Sequence, residues 1–182
     1  MDKEHFEIAK KELKEGAKNA DHPFHYFTLA TTGINKVARL RTVVLRDFSK
    51  DMTLTLYTDK RSRKVTHIKE NNRVCLLFYH PEKLIQVKID GVAYMETDKK
   101  KLEKIWNSID EKARQDYITV KDPGERIDNP DQIEYLDTSK NFAVMHIEAY
   151  KLEYLKLKRP KHIRLQYHLT ESGNWNSTFL IP

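Results

Sequence analysis

The sequence predicts a mainly β fold of the α+β class, an antiparallel barrel of about six to eight strands with helices packed against it. Two observations lead to this prediction. Short stretches rich in β-branched and aromatic residues, such as 27–31 and 53–58, are separated by turn sequences such as 33–36 and 171–174. Most connections are too short for the crossovers of a parallel sheet, and barrel closure removes unpaired sheet edges.

The elements follow from local patterns along the chain. Residues 3–19 are predicted to form an amphipathic N-terminal helix, because Phe6, Ala9 and Leu13 recur at helical spacing. Ser62 is expected to cap a helix over residues 63–70, and Asp98 a helix that opens a helical and loop insertion at 98–140. Strands are predicted at 27–31, 37–45, 53–58, 74–79, 84–95, 142–157, 163–169 and 175–181.

Length and composition narrow the class of protein. The chain of 182 residues suits a single domain spanning residues 1–182, and its net charge of +6 is spread along the sequence. No apolar run is long enough for a membrane span, no targeting segment is visible, and Cys75 is the only cysteine. We therefore expect a cytoplasmic protein without a membrane segment. The spacing of the eight histidines matches no metal-binding motif, so no metal is expected.

A predicted helix start carries the clearest chemical signal. Ser62 precedes the helix, Arg63 and Lys64 occupy its first turn, and Thr58 lies just before it. Exposed backbone N–H groups and the positive end of the helix dipole favour an anion there. Two cations in a first turn are unfavourable unless an anion lies among them. The segment therefore suits a phosphate, although a solvated basic helix start would have the same sequence.

Two arginines lie on the strand predicted over residues 37–45 and just after it. Residues five positions apart on a strand face opposite sides, so only one of Arg41 and Arg46 is expected to point into a given site. Taken alone, Arg41 would be more typical of a surface position.

Four ordered blocks together resemble the FMN-binding core of the pyridoxamine 5'-phosphate oxidase family. They are RTVVLR at 41–46, YTDKRSRK at 57–64, NNRVCLLF at 71–78 and QVKIDGVA at 86–93. The resemblance implies a split β-barrel homodimer that holds FMN at the subunit interface. It also implies these cofactor-binding residues: Arg41, Thr42, Val43, Val44, Leu45, Arg46, Tyr57, Thr58, Ser62, Arg63, Lys64, Gln86 and Arg164.

The resemblance also implies individual roles. Arg41, Thr58, Arg63 and Lys64 would bind the FMN phosphate, while the strand at 43–45 and the Gln86 amide would contact the ring. A phosphate dianion takes several charge-assisted donors, and the ring edge carries donors and acceptors that such groups match. The redox chemistry would belong to the flavin.

The C-terminal part departs from the pattern of the true oxidases. These carry a tryptophan, a glycine-rich stretch and R-x-H-x-R, in which the first arginine and the histidine contact the substrate. Here His162 and Arg164 match H-x-R, but Pro160 stands at the position of the first arginine. The resemblance is thus closer to related FMN-binding proteins, with His162 as the single weak substrate-binding prediction.

These residues lead to one functional hypothesis and three alternatives. The hypothesis is an FMN-dependent oxidoreductase acting on an unassigned small substrate, with O₂ or a nicotinamide as redox partner and no catalytic residue assigned. The alternatives are a pyridoxine/pyridoxamine 5'-phosphate oxidase, a non-catalytic flavin carrier or sensor, and a basic nucleic-acid-binding module. Nucleic acid is disfavoured because acidic residues interrupt basic, aromatic stretches such as 150–154.

Overall fold

A computed structural model describes residues 1–182 and contains one nine-stranded antiparallel sheet with helices packed against both of its faces. The helices are α1 (Lys3–Lys18), α2 (Arg63–Glu70), α3 (Lys99–Ser108) and α4 (Glu111–Arg114). The strands are β1 (Tyr26–Thr32), β2 (Ala38–Val44), β3 (Asp47–Phe48), β4 (Thr53–Asp59), β5 (Arg73–His80), β6 (Ile85–Met95), β7 (Phe142–Lys156), β8 (Ile163–Leu169) and β9 (Trp175–Leu180).

The sheet curls because its longest strand changes partner along its length. The strand order is β2-β1-β5-β6-β7-β4-β3, and β8 and β9 extend from β7. One edge of β7 pairs with β6, while its other edge pairs first with β4 and then with β8. A β-bulge opposite Asp90 and Gly91, where β7 carries the extra residue Tyr150, adds to the bend in β7. The result is a half-barrel in which the edge strand β2 approaches β4.

The inner face of the sheet carries the hydrophobic core. Alternate residues of each strand point inward, as the period of two requires, and Leu29, Leu76 and Ile89 are fully buried. Helix α1 contributes Phe6 and Leu13 to this core. The predicted amphipathic helix is therefore confirmed.

A second, smaller core covers the outer face of the sheet where β4 and β7 meet. Phe142 and Val144 of β7 pack there against Tyr117 and Trp106, with ring centroids of Trp106 and Phe142 5.2 Å apart. The insertion at 98–140 supplies this cover through α3, α4 and three-residue 3-10 turns at Gln115–Tyr117 and Pro130–Gln132. Trp106 therefore serves as a packing residue of this smaller core.

The predicted antiparallel split barrel with flanking helices is confirmed, with two differences in detail. The strands number nine because Asp47–Phe48 forms a short additional strand against β4. Ser62 occupies the N-cap position of α2, but its side chain makes no capping hydrogen bond. The capping prediction for Ser62 is wrong, because its hydroxyl contacts Thr58 and Lys64 instead.

The helices of this fold are short or strongly charged. None of them combines the length and the apolar character needed to cross a membrane.

Candidate functional site

A cleft with two lobes opens where the edge strand β2 faces the junction between β4 and α2. The larger lobe has a volume of about 680 Å³ and the smaller lobe one of about 230 Å³. Arg41, Ser62, Lys64 and Pro123 line both lobes, so the lobes form one continuous cleft.

The larger lobe is strongly basic. One wall comes from the β1–β2 hairpin and the other from the start of α2, and no acidic residue lines it. Its residues are Ile34, Asn35, Arg39, Leu40, Arg41, Ser62, Arg63, Lys64, Thr66, His67 and Pro123. Arginine, lysine and histidine side chains that converge in this way favour an anionic ligand.

Lys64 lies at the junction of the two lobes and is partly removed from solvent. Its Nζ donates to Thr58 Oγ1 at 2.7 Å and to Ser62 Oγ at 3.2 Å. Burial, followed by repulsion from Arg41, lowers the pKa of Lys64 to about 8, and attraction from Asp59 only partly opposes this. The ammonium therefore lies where an additional negative charge would stabilise it.

Arg41 forms hydrogen bonds to β1, and the hydroxyl of Thr31 connects it to α2. Its Nη1 donates to the carbonyl of Leu29 at 3.1 Å and to Thr31 Oγ1 at 2.8 Å. Thr31 Oγ1 lies in turn 3.0 Å from His67 Nδ1. These contacts fix the guanidinium at the mouth of the larger lobe, and burial lowers the pKa of Arg41.

The smaller lobe combines aromatic rings with polar groups. Its residues are Arg41, Thr42, Val43, Val44, Arg46, Tyr57, Thr58, Asp59, Ser62, Lys64, Asp116, Tyr117 and Pro123. Arg46 Nη2 donates to Tyr117 Oη at 3.1 Å, and the guanidinium lies 5.5 Å from the centre of the Tyr57 ring. Arg46 Nε is buried without a hydrogen-bond partner, so the lobe contains a donor that the chain itself leaves free.

Two sequence-based expectations about the segment at 41–46 need correction. Arg41 and Arg46 both line the smaller lobe, so the argument that only one can point into a site is wrong. The reason is that β2 ends at Val44 and the chain bends before Arg46. Leu45 lines neither lobe: its side chain is fully buried in the core, and its N–H donates to the carbonyl of His25.

Gln86 and Arg164 lie on the other side of the sheet from the core. Gln86 pairs with Tyr79 and Leu155, and Leu155 pairs with Arg164, which places this row on the outer face. Arg164 contacts Glu153 Oε1 through Nη2 at 3.0 Å and through Nε at 3.2 Å. Within one chain, these two residues therefore do not join the residues that line the cleft.

His162 lies outside the cleft as well. It occupies the exposed connection between β7 and β8, where its Nδ1 accepts a hydrogen bond from the backbone N–H of Lys158 at 3.1 Å. Its substrate-binding role stays a prediction.

Two cleft residues did not stand out in the sequence motifs. Arg39 precedes Arg41 by two positions, so both side chains lie on the same side of β2. His67 follows Arg63 by four positions and therefore shares a face of α2 with it. Strand and helix periodicity, applied outward from the recognised motifs, could have revealed both.

A separate cluster of histidines and a carboxylate lies under α1. Ligand atoms of Glu12, His22 and His80 lie within 4.8 Å of one another, an arrangement that the spacing in sequence did not reveal. Lys83 Nζ contacts both Glu12 oxygens at 2.7 and 2.8 Å, and His22 Nε2 lies 3.1 Å from Glu12. The Nδ1 atoms of His22 and His80 accept backbone N–H groups, so Nε2 carries the proton of each neutral ring. The carboxylate thus already has partners from the chain.

The fold and the cleft define a split-barrel protein with a basic cleft that suits an anionic ligand. The sequence matches the family described as pyridoxamine 5'-phosphate oxidase, FMN-binding domain, over residues 7–97, and the chain belongs to that family. It is 29% identical to pyridoxine/pyridoxamine 5'-phosphate oxidase 2 of Arabidopsis thaliana over 94% of this chain and 96% of the relative.

Solved structures share the fold across nearly the whole chain. A pyridoxamine 5'-phosphate oxidase-related, FMN-binding protein from Nostoc punctiforme superposes with a TM-score of 0.80 at 22% identity and covers 97% of both chains. PhzG from Burkholderia lata, in complex with tetrahydrophenazine-1-carboxylic acid, has a TM-score of 0.79 at 17% identity, with 97% of this chain and 92% of that chain covered.

The donors in the cleft fit FMN, the cofactor of this family. A phosphate dianion needs several charge-assisted donors, and Arg41 and Lys64 provide them beside the hydroxyls of Thr58 and Ser62. The free Arg46 Nε and the polar edge of β2 offer partners for an isoalloxazine edge.

Replacing Lys64 by methionine should separate ligand binding from stability. The pKa of Lys64 in the folded protein, about 8, is below its ordinary value of 10.5, so charged Lys64 destabilises the flavin-free fold at neutral pH. The free energy of unfolding should therefore increase as the pH rises from about 8 to 10.5. We expect Lys64→Met to raise the melting temperature at pH 7 but to weaken FMN binding by ~10- to 100-fold with little change for riboflavin.

The exposed Lys69 lies on the same helix, so Lys69→Met is the matched control and should alter neither property. Differential scanning calorimetry and flavin-fluorescence titration measure both effects. Equal losses for FMN and riboflavin would mean that Lys64 supports the fold and not the phosphate.

Proposed function

We propose that this protein is an FMN-dependent oxidoreductase for a small substrate. The observation that carries the proposal is the set of converging cations in the cleft, with the desolvated Lys64 at its centre. In a member of an FMN-binding family, a flavin phosphate is the anion that this set of donors suits best.

The proposed roles follow from the positions of the side chains. Arg41, Lys64 and the hydroxyls of Thr58 and Ser62 would hold the phosphate, and Arg63 would contribute from the exposed start of α2. With the phosphate held at the junction of the lobes, the rest of the cofactor would lie against the residues that line the smaller lobe, which would orient it.

FMN supplies the redox chemistry when bound, and the chain positions it and sets its surroundings. Arg46 brings a positive charge beside Tyr57 and Tyr117, and its free Nε can donate to an acceptor on a bound ring. A cation near a flavin ring favours forms that carry negative charge. Arg46 is therefore the residue that we propose tunes the cofactor.

We further propose that the working unit is a homodimer with FMN at the subunit interface. Tyr26, Leu77 and Tyr79 are exposed apolar side chains on the outer face of β1 and β5, and Leu40 adds to them on β2. Exposed apolar patches of this kind are typical of interfaces. Gln86 belongs to the same face, so a second subunit packed there would bring its own Gln86 toward the cofactor.

The substrate class is not fixed by the family. A curated relative is a pyridoxine/pyridoxamine 5'-phosphate oxidase, but Pro160 replaces the substrate-binding arginine expected from the family pattern, and His162 lies outside the cleft of its own chain. We therefore propose a small substrate other than these vitamers.

The other functional classes have weaker support. A flavin carrier or sensor would use the same cleft without turnover. Nucleic-acid binding is disfavoured because the cations converge in a cleft between β2 and α2 and do not form an open stripe.

A cytoplasmic location is also part of the proposal, and it rests on the single cysteine, Cys75. Burial raises the pKa of the Cys75 thiol to about 11, so the thiol stays protonated.

Uptake of FMN tests the proposed cofactor directly. We expect flavin-free protein to bind about one FMN per subunit from micromolar solution, with a change in the flavin absorption spectrum, because several charged donors converge on one phosphate. Reduction of the bound flavin by dithionite and its reoxidation in air then test redox competence. Folded protein, shown by circular dichroism, that takes up no FMN would contradict the proposal.

Light scattering tests the proposed dimer. We expect a mass of about twice 21.6 kDa. Leu77→Arg places a charge on the proposed interface and should yield monomers that bind FMN more weakly, because burying an unpaired charge is unfavourable. The control Ile127→Arg changes an exposed apolar residue in the insertion and should leave the dimer intact. A monomeric wild-type protein with full FMN affinity would be incompatible with this proposal.

Oxygen consumption with pyridoxamine 5'-phosphate distinguishes the leading function from its nearest alternative. A missing charge-assisted contact is worth about 1.5–3 kcal/mol, or ~10- to 100-fold in binding. We expect poor or absent turnover by FMN-loaded protein, whose flavin nevertheless reoxidises after chemical reduction. Robust turnover at micromolar substrate would restore the oxidase assignment.

A further inference from the structure

His67 is a buried residue of α2 whose ring forms part of the wall of the larger lobe. It lies beyond the motif that contains Arg63 and Lys64, and the roles proposed above do not include it. Its position nevertheless gives it direct access to the ligand side of the cleft, because the opposite wall is formed by Arg39 and Arg41.

The hydrogen bonds around Thr31 favour one tautomer of the neutral His67 ring. Thr31 Oγ1 accepts from Arg41 Nη1 at 2.8 Å, so its own hydrogen is available for His67 Nδ1, 3.0 Å away. A neutral ring whose Nδ1 accepts a hydrogen bond is protonated at Nε2. Nε2 makes no hydrogen bond to the chain, and it is the nitrogen left for a ligand.

The charged groups around His67 are all positive. Arg39 and Arg41 face it from β2, Arg63 repels it from its own helix, and Lys64 lines the same lobe. β1 contributes the uncharged hydroxyl of Thr31. Burial, followed by repulsion from Arg41, Arg39 and Arg63, lowers the pKa of His67, so the ring is neutral in the flavin-free protein at neutral pH.

We propose that His67 binds the FMN phosphate and takes up a proton when it does so, so that this protein holds FMN more tightly as the pH falls. The inference rests on the proposed FMN site. A phosphate dianion in the lobe offsets the repulsion among the cations and accepts a hydrogen bond from Nε2–H, which becomes charge-assisted when the ring is protonated. The added proton goes to Nδ1, where Thr31 Oγ1 has two lone pairs and accepts from both Nδ1–H and Arg41. Arg41 and His67 are then joined through Thr31 and act on one anion.

The direction of the pH effect follows from linkage. The phosphate raises the pKa of His67 above its value in the free protein, so binding is coupled to proton uptake between the two values. Within that interval affinity changes by up to about tenfold per pH unit. FMN should therefore bind more tightly as the pH falls through the pKa of the complex, until the free protein is protonated too.

The variant His67→Gln provides a matched control. Glutamine can still accept from Thr31 through its carbonyl oxygen and donate through its amide nitrogen, but it cannot take up a proton. Measurements between about pH 8 and about pH 6.5 keep the FMN phosphate, whose second pKa is about 6, largely dianionic. Riboflavin, which lacks the phosphate, serves as the control ligand and also reports whether the variant is folded.

Flavin-fluorescence titration should show the wild-type dissociation constant for FMN falling by ~10-fold over this pH range. The value for His67→Gln should change far less, because only Lys64, with a pKa of about 8, still titrates near the upper end of the range, and riboflavin should bind either protein with nearly constant affinity. At about pH 7, where Lys64 is already largely charged, calorimetry in two buffers of different ionisation enthalpy should show proton uptake on FMN binding by the wild type only.

Three results would overturn the inference. Matching pH profiles for wild type and His67→Gln would show that His67 only supports Thr31, while the FMN site itself would stand. Equal pH dependence for riboflavin would show that the titrating group does not act on the phosphate. Failure of wild-type protein to bind FMN at any pH would overturn both this inference and the proposed function.

Discussion

The desolvated cations at the junction of β2, β4 and α2 dominate the electrostatics of this fold. Lys64 and Arg41 are both partly buried, and both have a lowered pKa, mainly because burial disfavours the charged form. The hydroxyl groups of Thr58 and Thr31 accept hydrogen bonds from these cations without neutralising their charge. The flavin-free protein is therefore destabilised locally at the place where an anion would bind, and ligand binding and stability are coupled.

The curl of the sheet explains why this junction is open. Because β7 leaves β4 and continues with β8, the edge strand β2 approaches β4 without forming a paired ladder with it. An unpaired sheet edge is normally a liability. Here residues of β2, together with the start of α2, form the walls of the cleft, so the gap in the barrel is where the proposed site lies.

Local sequence signals predicted the strands and the helix start, and they singled out the segment at 57–64, most of which lines the cleft. They failed where the answer depended on which elements pack together. Ser62 looked like a cap, but Lys64 and Thr58 compete for its hydroxyl. His67 meets Thr31 across 36 residues of chain, and Gln86 turns to the outer face because of its pairing with β5. Periodicity gives the alternation of faces, but only the sheet register shows which face lines the cleft.

Two clusters of ionisable groups, one around Glu12 and one around Lys64, illustrate how a binding site differs from a structural contact. Around Glu12, the ammonium of Lys83 and the ring of His22 complement a buried carboxylate, so charge is balanced within the chain. Around Lys64, the cations of the larger lobe have only Asp59 nearby, and Arg61 forms a short salt bridge with that carboxylate at 2.7 Å. The first arrangement is stable without a ligand. The second gains stability when an anion enters, and this physical difference supports the proposal that the cleft is the functional site.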